Sequence, residues 1–386
     1  MTEAETPIRD ESIVYHPHHL HPKWHNEASR NEGAGGNLKT YRNLSAHKRK
    51  RLDSKRRITG QYNCKVCAGS SLCDSLANSP PSAQTRDQRS SLAGQIARAL
   101  SVFCVDEVVV FSDGNTQPAA KRQQNRANTY QSHTSQDDPD HFLVHLLSYL
   151  ETPPHLRKLL FPLHPNLELA GRLPSLDLPH HLKSEEWCPY REGVTLPGSD
   201  EHGTFVEAGL RIPVTVTDQI PENTRVTLKF AENAENANKD TSAQIISAAP
   251  VNPDEPREEA GYYWGFKVRR AGSLSDVFTE CEYDDGYDIS VGTSERGITL
   301  DQLYSGAEEH RVQKFKHLLV VFGGVAGLEV AVKNDPALQK LGVTDAEEAF
   351  DRWVNVCPGQ GSRTIRTEEA VWIGLMGLRK LVTSNY

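Results

Sequence analysis

Three times in the C-terminal half of this chain, an apolar run leads directly into a polar loop that carries glycine. Tyr287-Asp-Ile-Ser-Val-Gly-Thr-Ser-Glu-Arg-Gly297 does so first, and His317-Leu-Leu-Val-Val-Phe-Gly-Gly-Val-Ala-Gly-Leu-Glu329 second. The third is Phe350-Asp-Arg-Trp-Val-Asn-Val356, followed by Cys357-Pro-Gly-Gln-Gly-Ser-Arg-Thr-Ile-Arg-Thr-Glu-Glu-Ala370. Continuous apolar runs of strand length read as strands buried on both faces, as in a parallel sheet covered by helices. Ligands of such sheets sit outside the carboxyl ends of the strands. Three glycine-bearing loops leaving three strands at that edge predict a pocket built largely from backbone, because glycine permits close approach.

The third loop is the most informative. Pro358, Gly359 and Gly361 break the backbone, and Thr364 to Ala370 reads as the start of a helix. Thr367 is the expected N-cap, with Glu368 and Glu369 in the first turn, where the helix dipole favours acids. Val371-Trp-Ile-Gly-Leu-Met-Gly-Leu378 is too apolar for a solvent helix and is expected to be buried. Arg363 and Arg366 set permanent positive charge beside the loop.

Upstream, the texture defines further units. Residues 91–103 space their apolar residues as a helix, Val108 to Phe111 form a strand, and Asp113-Gly114 a turn. Residues 117–139 read as a disordered polar loop, Asp140 to Leu150 as a helix ended by Pro153-Pro154. Between 165 and 260 lie short strands: 203–207, 212–217, 224–230 and 243–247, with a low-complexity loop at 231–238. That pattern predicts a small β-barrel interrupting an α/β domain. Gly261 to Arg270 is a strongly β-forming run, and Tyr262, Tyr263 and Trp264 within it read as core packing in preference to base stacking.

A length of 386 residues suits two domains plus extensions. The hydrophobic fraction of 37% and mean hydropathy of −0.57 are low for one compact unit, so part of the chain is expected to be disordered. Residues 1–85 fit that part: a histidine-rich tract at 15–25 and the basic run His47 to Arg57, which reads as a nuclear localisation signal or RNA-binding arm. The net charge of −8 disfavours nucleic acid as a bulk partner but leaves a local basic face open. Cys64, Cys67 and Cys73 resemble half a zinc site without a fourth ligand, so no metal is expected. Seven cysteines, no leading apolar segment and no ~20-residue apolar span predict a soluble, intracellular protein without membrane contact. Gly323 to Gly327 lacks the dinucleotide spacing, and no Walker motif occurs, which weighs against NAD or ATP.

Phe103 to Phe111, Pro179-His-His, Tyr190-Arg-Glu-Gly, Gly292-Thr-Ser-Glu-Arg-Gly, Val321-Phe-Gly-Gly and the whole of 355–370, in that order, resemble the SPOUT RNA methyltransferases of the eukaryotic and archaeal branch. The resemblance runs from about Arg86 to Val382. It implies an α/β-knot, with a parallel sheet, a deep trefoil knot and an inserted OB-like barrel. The implied division is an extension at 1–85, the methyltransferase domain at 86–164 and 261–386, and the RNA-binding barrel at 165–260. It implies a homodimer that methylates N3 of a large-subunit rRNA uridine from S-adenosyl-L-methionine, acting in the nucleus and nucleolus and extending to the cytoplasm, without DNA specificity. Carried over, the cofactor positions are Arg296, Gly297, Gly323, Gly324, Gly327, Asn355, Gln360, Gly361 and Thr364. The chain departs from the family at the first strand, where Asn63 to Asn78 is a poor β-former: either the first sheet strand is degenerate or the sequence is locally wrong, and whether residues 60–85 form that strand stays open.

Uridine N3 carries a proton, so methylation needs a base or stabilisation of a developing anion. Arg296, Arg363 and Arg366 are the candidates for the latter, with phosphate anchoring an equal alternative for Arg366. Glu295 is the candidate base, whereas Glu368 reads as a helix-cap carboxylate. A reading from another class is a scaffold, RNA- or spindle-associated, that binds the cofactor without turnover.

Overall fold

The computed structural model describes residues 63–69 (backbone only), 86–114, 138–198, 203–232, 234–239, 245–305, 312, 314–324 and 327–383. The histidine-rich tract, the basic run 47–57, Cys73 and nearly all of the polar loop 117–139 lie outside the described residues.

A six-stranded parallel sheet organises the α/β part, in the order β11-β9-β10-β1-β2-β8. Its strands are β1 (Asn63–Gly69), β2 (Glu107–Phe111), β8 (Lys267–Ala271), β9 (Ile289–Thr299), β10 (His317–Phe322) and β11 (Arg352–Asn355). Alternate residues of each strand feed opposite faces, as the period of two requires. Val108, Val110, Leu318, Val320 and Phe322 pack with helices α1 (Arg86–Val102), α2 (Pro139–Glu151) and the C-terminal helix. Val109, Phe111, Leu319 and Val321 pack with α3 (Leu274–Thr279) and α5 (Leu328–Asn334). Between β9 and β10 lies α4 (Leu300–Tyr304), and the described residues end with α6 (Thr367–Thr383).

Strand β1 fills the first-strand slot left open at 60–85 and corrects the expectation of disorder through residue 85, extending the α/β unit upstream of residue 86. Asn63 to Ala68 pairs with His317 to Phe322 on one side, and Lys65 to Gly69 with Glu107 to Phe111 on the other. Two ready-made neighbours stabilise a strand whose own residues favour it weakly, a tertiary override of propensity. The run 261–270 is strand only at Lys267–Ala271. Its Tyr262 and Tyr263 are buried, the Tyr263 hydroxyl donating to Val105 O (2.7 Å). The low-complexity tract, expected as loop, forms a helical turn at Ala234–Lys239.

The insertion is a closed five-stranded barrel, β3 (Tyr190–Thr195), β4 (Thr204–Glu207), β5 (Val214–Val216), β6 (Arg225–Phe230) and β7 (Ile246–Val251). Its strands follow the order β3-β4-β5-β7-β6, with β5 and β7 parallel and the other pairs antiparallel. Val206, Val214, Val216, Leu228 and Phe230 fill it.

A buried ionic seam joins barrel to α/β part. Arg225 donates to Glu151 at the end of α2 through Nη1 (2.7 Å) and Nη2 (3.1 Å), and to Glu192 of β3 through Nε (2.7 Å). Thr227 and the Trp264 indole also donate to Glu192, at 2.6 and 2.7 Å. The His180 ring sits 2.9 Å from the Glu151 carboxylate. Gly265 (φ +93°) leaves room for it, since a Cβ there would lie 2.4 Å from Glu151 Oε1. Burial alone would raise the Glu151 carboxyl, but Arg225 and His180 outweigh it and hold the group well below the carboxylate range.

Removing the cation should therefore cost more than the pair contributes. Arg225→Met should destabilise the protein by about 3–5 kcal/mol in urea titration, because two carboxylates stay buried without it. Glu151 is depressed in the folded state, so its contribution is complete at neutral pH and declines as pH falls below the unfolded value of about 4.3. Melting temperature should drop between about pH 5 and 3 in the parent protein. In Arg225→Met, burial dominates, and the slope should reverse.

Candidate active site

The three loops converge at the carboxyl edge of the sheet, the first two held by close backbone packing and the third by hydrogen bonds. Strand β9 pairs with β11 at Val291 and Gly292, then again at Ile298 and Thr299, and residues 293–297 stand out of the ladder between them. This excursion is loop 1. A Cβ at Gly297 would lie 2.5 Å from Val354 N and 2.6 Å from Trp353 O, so only glycine lets the loop return onto β11. The Thr293 hydroxyl donates to Val321 O (3.0 Å) at the loop's other end.

Loop 2 leaves β10 at Gly323 and enters α5 at Gly327 (φ +77°), with the Gly327 N–H donating to Gly324 O (3.0 Å). Residues 325 and 326 lie outside the described residues. A Cβ at Gly323 would press to 2.8 Å of the Gly327 carbonyl carbon, so the tightness comes from the loop's own fold.

Loop 3 runs from β11 to α6. Asn355 opens it, its Nδ2 donating to Glu295 O in loop 1 (2.8 Å) and its Oδ1 accepting from Cys357 N (3.0 Å). The Gln360 amide donates to Ser362 O (3.2 Å). The helix cap differs from the expected one. Arg366 O accepts from Ala370 N (2.8 Å), which makes Arg366 the cap, and the Glu369 carboxylate accepts from Arg366 N (3.0 Å). Thr367 is turned inward, its hydroxyl donating to Gly323 O in loop 2 (3.3 Å). Glu368 is buried, and that burial raises its carboxyl, so its neighbour Glu369 takes the capping role expected of it.

Charged groups cluster at the outer rim. Glu295 and Arg296 are exposed on loop 1, and Arg296 (75% exposed) faces Glu329 of α5 at 3.7 Å. Arg363, Thr364 and Arg366 are exposed on loop 3. The arrangement offers backbone polar groups inside, carboxylates and guanidiniums outside, and no cluster of metal-ligating side chains among the described residues.

Comparison with known proteins is decisive for class. The sequence model of a family described as "Putative RNA methyltransferase" matches residues 65–378, which include β1 and all three loops. The chain belongs to this family of RNA methyltransferases. It is 42% identical over 301 residues to a Drosophila melanogaster protein named 28S rRNA (uridine-N(3))-methyltransferase, spanning 77% of this chain and 59% of that one. Proteins of the same name from Homo sapiens and Mus musculus are each 40% identical, over 77% and 78% of this chain and 74% of theirs.

In this family member, the positions read from sequence fall into two groups. Glu295, Gly297, Gly323, Gly324, Gly327 and Asn355 are brought together by contacts between or within loops. Arg363, Thr364 and Gly361 lie on the outer course of loop 3. Thr293, Glu329, Thr367 and Glu369 were not identified from sequence as site residues. Only the position of Thr293 in the glycine-bounded loop, and of Glu369 three residues after Arg366, could have marked them.

The glycine packing sets a clear expectation. Gly297→Ala should push loop 1 off β11 and lower methyl-transfer kcat/KM by at least about tenfold, because small misplacements of positioning elements cost that or more. The far-ultraviolet circular dichroism should stay unchanged, as the substitution lies outside the core.

Proposed function

We propose that the chain transfers a methyl group from S-adenosyl-L-methionine to N3 of a uridine in large-subunit ribosomal RNA. The observation that carries this reading is a family match that spans all three loops, together with the printed activity of the fly and human relatives. The residues fit such a donor: a Cβ built at Gly359 or Gly361 meets nothing within 4 Å, so loop 3 borders open space that a ligand can approach. Loop backbone, with Gln360, would hold the donor, which supplies an electrophilic methyl on a sulfonium, while Asn355 would hold loop 1 in place.

In this reading Glu295 takes the N3 proton, and Arg296 beside it stabilises negative charge developing on the uracil. Arg363 and Arg366 serve as anchors for RNA phosphate or as further electrostatic support. The target base has to leave any helix to reach the edge, so unpaired RNA is the substrate form. The five-stranded Greek-key barrel suits an OB-fold that holds the RNA strand.

The strand order, with β11 outside β9 and α6 returning beside β10 and α1, supports a SPOUT fold with a C-terminal trefoil knot. Met376 (63% exposed), Ile373 and Val102 leave an apolar face on α6 and the end of α1, which suits a homodimer. The nucleus and nucleolus are the proposed site of action, matching an rRNA substrate. Among the described residues no helix is long and apolar enough to cross a membrane.

Mass-spectrometric mapping of rRNA modifications with and without the protein tests the activity. Loss of one N3-methyluridine on deletion is expected. S-adenosylhomocysteine binding with no methyl incorporated would favour the scaffold reading. Glu295→Gln should lower kcat by about 10²-fold with donor affinity unchanged, and unaltered methylation would remove Glu295 from the mechanism. Light scattering should give twice the chain mass, and Met376→Glu should halve it; a monomeric parent protein sinks the dimer.

A further inference from the structure

Side chains of loops 1 and 3 link the three loops by donating to backbone carbonyls. Thr293 of loop 1 donates to Val321 O at the base of loop 2 (3.0 Å), and Thr367, at the end of loop 3, donates to Gly323 O in loop 2 (3.3 Å). Asn355, opening loop 3, donates to Glu295 O on the crest of loop 1 (2.8 Å) and accepts from Cys357 N (3.0 Å). The links run loop 1 to loop 2, loop 3 to loop 2 and loop 3 to loop 1, so they close a circuit.

We infer that Thr293, Asn355 and Thr367 are positioning residues that pre-set the methyl-donor pocket, Asn355 acting through loop 1 rather than by contact with the donor. The inference rests on reading this edge as the donor site.

Three observations support it. Residues 293–297 lie outside the sheet ladder, so the Glu295 carbonyl is held by the Asn355 amide where neighbouring strand residues are held by the sheet. Asn355 uses both halves of its amide on the protein, one for each of the loops it joins. The crest it holds bears Glu295 and Arg296, so the amide fixes where that carboxylate and guanidinium start from. A loop ordered before the ligand arrives loses less conformational entropy on binding, so the circuit should appear as affinity and as catalytic geometry.

The variants separate hydrogen bonding from shape. Thr293→Val and Thr367→Val keep side-chain volume and lose the donor; Thr293→Ser and Thr367→Ser keep it. Asn355→Asp still accepts from Cys357 N but sets a carboxylate against the Glu295 carbonyl.

Hydrogen–deuterium exchange on the full chain without ligand is the first readout. Asn355→Asp and Thr293→Val should speed exchange at residues 295–297, Thr367→Val at Gly323, Gly324 and Gly327, and the serine variants should match the parent. Calorimetric titration with S-adenosylhomocysteine is the second. Each of Thr293→Val, Thr367→Val and Asn355→Asp should weaken binding by about fivefold, with a less favourable entropy and non-additive pairs. Asn355→Asp should also lower kcat, through the Glu295–Arg296 crest.

Parent-like exchange in Thr293→Val, Thr367→Val and Asn355→Asp overturns the circuit, as do serine variants no better than valine. Altered exchange with a parent protein that binds no S-adenosylhomocysteine leaves the circuit intact and overturns its assignment to a methyl donor.

Discussion

The site depends on the carboxyl end of β10. Leu318 to Phe322 is wholly buried, paired in parallel with β1 on one side and β9 on the other. A strand gripped by two neighbours and covered on both faces has little freedom, so groups at its end are fixed in space. Val321 O and Gly323 O receive loop 1 and the start of α6 there. Phe322 completes the arrangement by packing against Gly374, where a Cβ would come within 2.7 Å of its ring. Pocket and C-terminal helix thus share one anchor.

Two electrostatic regimes coexist in the molecule. The Arg225, Glu151 and Glu192 seam is buried and multiply hydrogen-bonded, so it holds barrel and α/β part in one geometry. The Arg296–Glu329 pair at the pocket rim is exposed and longer, and pairs of that kind contribute little to stability. A guanidinium so loosely held can turn to a ligand at small cost. Rigidity sits in the backbone of the loops, while the charged tips stay adaptable, an arrangement suited to orienting a reactant among preset dipoles.

Much of this was legible in the residues. Apolar runs marked β2, β9, β10 and β11, and the glycines marked where loops turn. One strand was left open and another escaped, for different reasons. The stretch Asn63 to Gly69 has weak β-propensity, and its two partners in the sheet make it a strand. Tyr190 to Thr195 carries Arg191 and Glu192, both buried, so it shows no apolar alternation. Arg191 donates through Nη1 and Nη2 to the carbonyls of Lys183, Glu186, Ala208 and Gly209, partners that no local pattern reveals. Within the site, the loops and their glycines were readable, but the reason for Gly297 and Gly323 was not. Both are crowded by the protein's own backbone.

By itself, the sequence determined which segments could be buried strands, which turns required glycine and which charges would stand beside them. These are properties of single residues and short-range spacing. Only the tertiary structure decided that β11 lies outside β9, that Thr367 faces Gly323 while Glu369 caps the helix, and that Asn355 holds the crest of loop 1. Those outcomes depend on which carbonyl lies within ~3 Å of a given donor, a distance set by the packing of segments remote in the chain.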